Sequence, residues 1–235
     1  MIGAPASAMM VAFLLCAVLI GTPGTANIPP VLELLESRYT AAHTLQVAFM
    51  ERYSESGRFV RSEAGTAYFL RPGKMRWDYQ VPEKNTFLVD GKYVWFYSPA
   101  DRTATRMPAK QSEDWRTPLA FLTTHMKLAK LCVKIEPQSE TPRAENGNSV
   151  FRCELRNAED RSAEGNVYKR VLFEVSPEGE LRRITVREEG GRELEFSFTG
   201  WKWNPQLDKS TFEFVAPRGV AIVDGVLSEA PGLRQ

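Results

Sequence analysis

Apolar and polar positions alternate with period two along most of this chain, and RPGKMRWDYQVPE (residues 71–83) shows the pattern most clearly. Lys74, Arg76 and Asp78 fall on one side of an extended strand and Met75, Trp77 and Tyr79 on the other, as expected where one face is wet and the other apolar. The same period runs through LQVAFMERYS, GTAYFL, NTFLVD, KYVWFY and TATRM, each bounded by Gly, Pro, Asp or Asn. Asp90-Gly91 between TFLV and KYVWFY is read as a two-residue hairpin turn. KYVWFY is apolar on both faces, so alternation leaves open whether Trp95 and Tyr97, or their neighbours, point inward together with Phe87 and Val89.

A helical pattern, VLELLESRYTAAHTL, precedes these strands, opened by Pro29-Pro30 and placing Val31, Leu34, Leu35, Arg38 and Tyr39 near one face. A second interruption begins at Thr117-Pro118, an N-cap residue followed by proline, and continues as the short, almost wholly apolar run LAFLTTHMKL. Strands resume with AKLCVKIE, SVFRCEL, VYKRVLFEV, ELRRITVRE and RELEFSFTGWKW, and the chain closes with TFEFVAPRGVAIVD. Around eleven or twelve antiparallel strands with two short helices predict a strongly curved sheet or incomplete barrel, whose concave side the lone apolar helix would plug or cap.

The first 26 residues differ from the rest: Ala8 to Ile20 is unbroken apolar sequence, small residues follow, and no charge precedes Glu33. The run is too short to span a bilayer and fits the apolar region of a secretory signal, cut between Ala26 and Asn27. The positive residue such signals carry near their start is missing, and a buried or membrane-embedded N-terminal helix is the competing reading. The expected organisation is therefore a signal peptide over 1–26 and one domain over 27–235.

Cleavage leaves Cys132 and Cys153, an even count for an oxidising compartment. They lie on short strands joined by a loop, so a disulfide forms if the register brings them within bridging distance. A zinc site needs four ligands, and with only His43 and His125 available no metal or other cofactor is expected. The balance of 30 basic against 29 acidic residues offers no field for nucleic acid. No GxSxG, phosphate loop or HExxH is present, which argues against an enzyme. Lys169-Arg170 and Arg182-Arg183 are read as a solvated strand face or as a contact for a partner or anionic headgroups.

In content and order, the helix before QVAFMERYS, RPGKMRWDYQVPE, LVDGKYVWFYSP, TPLAFL and FEFVAPRGV resemble the LolA family of periplasmic lipoprotein carriers. The resemblance implies a mainly β fold: an unclosed antiparallel barrel of about eleven strands, with an N-terminal helix and a short lid helix covering an apolar cavity. It also implies a periplasmic monomer that receives outer-membrane lipoproteins from an inner-membrane transporter and delivers them to an outer-membrane acceptor. Met75, Trp77 and Tyr79 would line the cavity opposite Leu119, Phe121 and Leu122 of the lid. Arg71 would latch the lid through its backbone carbonyls. Without the family, Arg71 reads as a solvated turn residue and the apolar strand face as ordinary core. Two other functions suit the same features: a sensor module that binds lipid or lipoprotein, and an enzyme acting on lipid or glycan. Met75 stands where the family often has an aromatic, the cysteine pair is not general in it, and residues 137–166 match nothing in it.

Overall fold

The computed structural model describes residues 28–109, 122–123, 127–138, 147–155, 168–188 and 190–225; the expected signal segment and most of 137–166 lie outside these residues. Helix α1 (Pro30–Ala41) starts with proline at its first position, where no backbone donor is lost, and carries Glu33 in its first turn and Arg38 in its last. Leu32, Leu35 and Tyr39 form its buried stripe, with Ala42 following. The face is rotated from the expected one, for Leu34 remains 42% exposed. The seat of the helix causes the rotation: Leu34 leans over Gly179, where an added Cβ would come within 2.7 Å of its Cγ. The Tyr39 hydroxyl accepts from the Leu181 amide at 3.2 Å, while Trp201 Nε1 donates to the Leu181 carbonyl at 2.8 Å.

Among the described residues, one sheet of twelve strands contains β1 (Thr44–Glu55), β2 (Arg58–Leu70), β3 (Lys74–Val81), β4 (Thr86–Val89), β5 (Tyr93–Ser98) and β6 (Thr103–Pro108). It continues with β7 (Cys132–Pro137), β8 (Ser149–Leu155), β9 (Tyr168–Val175), β10 (Leu181–Glu188), β11 (Arg192–Trp203) and β12 (Ala221–Asp224). The spatial order is β12-β6-β5-β4-β3-β2-β1-β11-β10-β9-β8-β7, so β12 and β7 are edges and the sheet does not close. Every neighbouring pair is antiparallel except β12 on β6, which is parallel and departs from the purely antiparallel reading. The reason is the route of the chain: after β11 it must pass the positions of β1 to β5 before it reaches β6.

That crossing explains KYVWFY. The pairings Phe87↔Phe96 and Val89↔Val94 put Phe87, Val89, Val94 and Phe96 on the face of Trp77 and Met75, whereas Leu88, Trp95 and Tyr97 point to the opposite face. There the returning chain covers them: Leu207, Phe212 and Phe214 gather around Leu88 and Trp95, with Phe214 stacked on Trp95 at 4.7 Å. Both faces of β5 are apolar because both are covered.

The β4–β5 turn is displaced by one residue from the sequence reading. Asp90 and Tyr93 close it (Asp90 N–H to Tyr93 O, 3.1 Å), leaving Gly91 and Lys92 as the central pair, with Gly91 at φ +97°. The Asp90 carboxylate holds it, accepting from the Lys92 and Tyr93 amides at 2.7 Å each and from Trp95 Nε1 at 2.9 Å. A second local difference is helix α2 (Leu128–Leu131), where a strand was expected; its first amide, Leu128 N–H, donates to the Glu36 carboxylate of α1.

Cys132 and Cys153 are joined by a disulfide, with Cα atoms 5.5 Å apart. Cys153 faces Ile135 and Cys132 faces Leu155, because an irregularity between Cys132 and Lys134 brings Cys132 one residue nearer Cys153 than continuous pairing would. The bridge ties edge strand β7 to β8. A double Cys132→Ser, Cys153→Ser variant is expected to lose about 3 kcal/mol for a loop of 21 residues, read from urea denaturation with and without reductant. Equal midpoints for variant and oxidised wild type would show that the bridge does not constrain the unfolded chain.

Candidate functional site: the concave apolar face

Tight cross-strand pairing assembles the site. Trp77 lies between Ala67 of β2 and Phe87 of β4, Met75 between Phe69 and Val89, and Tyr79 is opposite Gly65. All three side chains of β3 are buried, Trp77 completely. Around its indole stand Phe49 at 4.7 Å, Phe196 at 5.6 Å, Phe69 at 5.8 Å and Phe198 at 6.4 Å, mostly edge-on, the arrangement aromatic quadrupoles favour. β1 and β11 supply Phe49, Phe196 and Phe198, whose alternation was visible in the sequence but whose common face was not. Leu122 is fully buried in the same apolar cluster, so Met75, Trp77, Tyr79 and Leu122 are brought together. Leu119 and Phe121 lie outside the described residues.

Two polar features interrupt this surface. The Tyr79 hydroxyl donates to the Glu51 carboxylate at 3.0 Å, and Glu51 is itself only 2% exposed. Trp77 Nε1, in contrast, is buried without any acceptor. Such a group typically costs about 1–3 kcal/mol.

Arg71 sits at the rim, in the turn between β2 and β3. Its Nε and Nη2 both donate to the Leu122 carbonyl, at 3.4 and 3.3 Å, while the Gly73 amide donates to the Thr123 carbonyl at 3.0 Å. Its Nη1 is buried and unpartnered, and burial lowers the guanidinium pKa from its ordinary value. Arg71 is thus half-buried over a carbonyl of the segment carrying Leu122, rather than solvated.

Of the expected basic cluster, Arg182 and Arg183 are matched by carboxylates, as is nearby Arg187, while the side chains of Lys169 and Arg170 lie outside the described ones. Arg182 pairs with Glu180 at 3.0 Å, Arg183 with Glu174 at 3.1 Å and Glu195 at 3.2 Å, and Arg187 with Glu193 at 2.6 Å. Such exposed pairs contribute little stability but leave little net field. His43 is exposed, and its backbone amide donates to Asn204 Oδ1; His125 lies outside the described residues. Among the described residues no helix is long and apolar enough to cross a membrane.

The sequence model of one family, described as outer membrane lipoprotein carrier protein LolA, matches residues 40–215. The chain belongs to the LolA family. Most of α1 and all of β12 lie beyond the matched LolA region. An outer-membrane lipoprotein carrier protein of Neisseria gonorrhoeae is 27% identical over 169 residues, covering 72% of this chain and 75% of that protein. Another, from Nitrosospira multiformis, is 28% identical over 192 residues, covering 80% and 86%. An uncharacterised conserved protein of Thermus thermophilus is similar in fold, with a TM-score of 0.51 at 13% identity over 83% of this chain and 97% of that one.

Proposed function

We propose that this protein is a periplasmic carrier that takes the acyl chains of outer-membrane lipoproteins between the concave sheet face and the segment carrying Leu122. The observation that carries this reading is an aromatic concave face covered by a backbone segment that hydrogen bonds, not covalent bonds, hold at Arg71 and Gly73. Each acyl methylene left in water costs about 0.8 kcal/mol, so cargo needs such a face, and a cover held by few polar contacts can yield. The related carriers of Neisseria and Nitrosospira support the choice of cargo. The chain acts as a monomer without cofactor or catalytic step, is exported with cleavage between Ala26 and Asn27, and moves cargo from an inner-membrane transporter to an outer-membrane acceptor.

Mass spectrometry of the protein purified from its native periplasm tests the reading: lipoprotein should co-purify, and the intact mass should start at Asn27. Free phospholipid alone, or an empty protein, would overturn the carrier role. Leu122→Glu puts a charge against the apolar face and is expected to lower the co-purifying lipoprotein at least about tenfold while the thermal transition stays cooperative. Loss of the transition would make Leu122 a residue of the folding core instead.

A further inference from the structure

We infer that the indole N–H of Trp77 is a ligand-binding donor, kept free for an ester carbonyl at the head of a bound acyl chain. The inference rests on the carrier reading and adds one free directional donor to a face that is otherwise mostly apolar, its other polar pair, Tyr79 and Glu51, being bonded to each other.

Four phenyl rings, from Phe49, Phe69, Phe196 and Phe198, surround Trp77, and none supplies an acceptor. Tyr79, its neighbour on the same strand face, brings its own acceptor in Glu51. Trp77 Nε1 has none, although the residue is fully buried. Buried donors are almost always paired, and an unpaired one weakens the fold that contains it. A phenylalanine would fill an apolar cage without that cost, so packing alone does not account for an indole here. Acyl chains are themselves without polar groups, but where each joins glycerol it carries one carbonyl, an acceptor matched to a donor-only indole N–H. A hydrogen bond made inside a dry apolar site gains more than one made in water. The contact would fix how deep the chain head sits, a register that methylene contacts cannot set because they are uniform along the chain.

The test uses the mature protein and two synthetic diacylated cysteine lipopeptides of equal chain length, one with ester and one with ether links to glycerol. Wild type is expected to bind the ester form about fivefold to tenfold more tightly. The Trp77 indole proton should move downfield in NMR spectra with the ester form only. Trp77→Phe should bind both forms equally, near the wild-type affinity for the ether. Equal affinities in wild type, or an ester preference that survives Trp77→Phe, would overturn the assignment and leave the carrier reading intact. Binding of neither form would overturn both. If Trp77→Phe does not fold, the wild-type ratio and the indole resonance still decide.

Discussion

Arg71→Leu is expected to accept lipoprotein, hold it about tenfold more tightly than wild type and deliver it poorly to an acceptor. The guanidinium contacts the Leu122 carbonyl while the segment lies against the apolar face, and on the proposed carrier reading cargo entering beneath Leu122 would break that contact. An interaction made only in the empty, closed state opposes loading and favours release by the same free energy. Hydrogen bonds to charged groups contribute about 1.5–3 kcal/mol, and distances of 3.3 and 3.4 Å to a single oxygen place this pair at the lower end. About 1.4 kcal/mol is a factor of ten. The half-buried setting, with Nη1 unpartnered, makes the closed state costly enough to leave. The measurement is transfer between purified carrier and acceptor, with Lys74→Leu as the control for loss of a nearby charge. Unchanged retention and transfer would return Arg71 to the role of a turn residue.

Gly65→Val is expected to destabilise the fold by about 3 kcal/mol or more, lowering the melting temperature by roughly 6 °C or more. Gly65 lies on β2 opposite Phe49 and Tyr79, where the β2–β3 register shifts. A Cβ there would stand 2.0 Å from the Asp78 carbonyl oxygen and 3.0 Å from the Tyr79 Cα. These are backbone atoms, so no rotamer change relieves the clash and the two strands must separate. β3 carries Met75, Trp77 and Tyr79, so the site would be lost with the pairing. Gly225→Ala, at a position with no atom within 4 Å of the added Cβ, is the matched control and should change stability by no more than about 0.5 kcal/mol. If Gly65→Val melts with wild type, the close strand approach is dispensable.

The division between sequence and tertiary structure shows at particular residues. Alternation over 74–79 identified a strand and grouped Met75, Trp77 and Tyr79 on one face, because side-chain direction in a strand depends only on residue parity. Pro30 and the turn residues likewise marked element ends, since their backbone limits are local. The order of quoted motifs carried the family. The one-residue displacement of the β4–β5 turn escaped because Asp90 holds it through the side chain of Trp95 as well as through local amides.

Which face of KYVWFY meets the concave side was not readable, because parity says nothing about what lies opposite; the register with Phe87 and Val89 and the passage of Phe212 and Phe214 decided it. The parallel β12, the slide that joins Cys132 to Cys153 and the rotation of α1 over Gly179 also depend on partners distant in the chain. The unpaired Trp77 N–H belongs to this group, for an indole shows its missing acceptor only when every neighbour is in place. The sequence by itself determined most of the strands, the alternating grouping of side chains along them and the family, all of which follow from short-range geometry and residue order. Tertiary structure alone decided which apolar face is concave, what covers the other, and which polar groups are left without a partner, because these are properties of contacts between segments far apart in the chain.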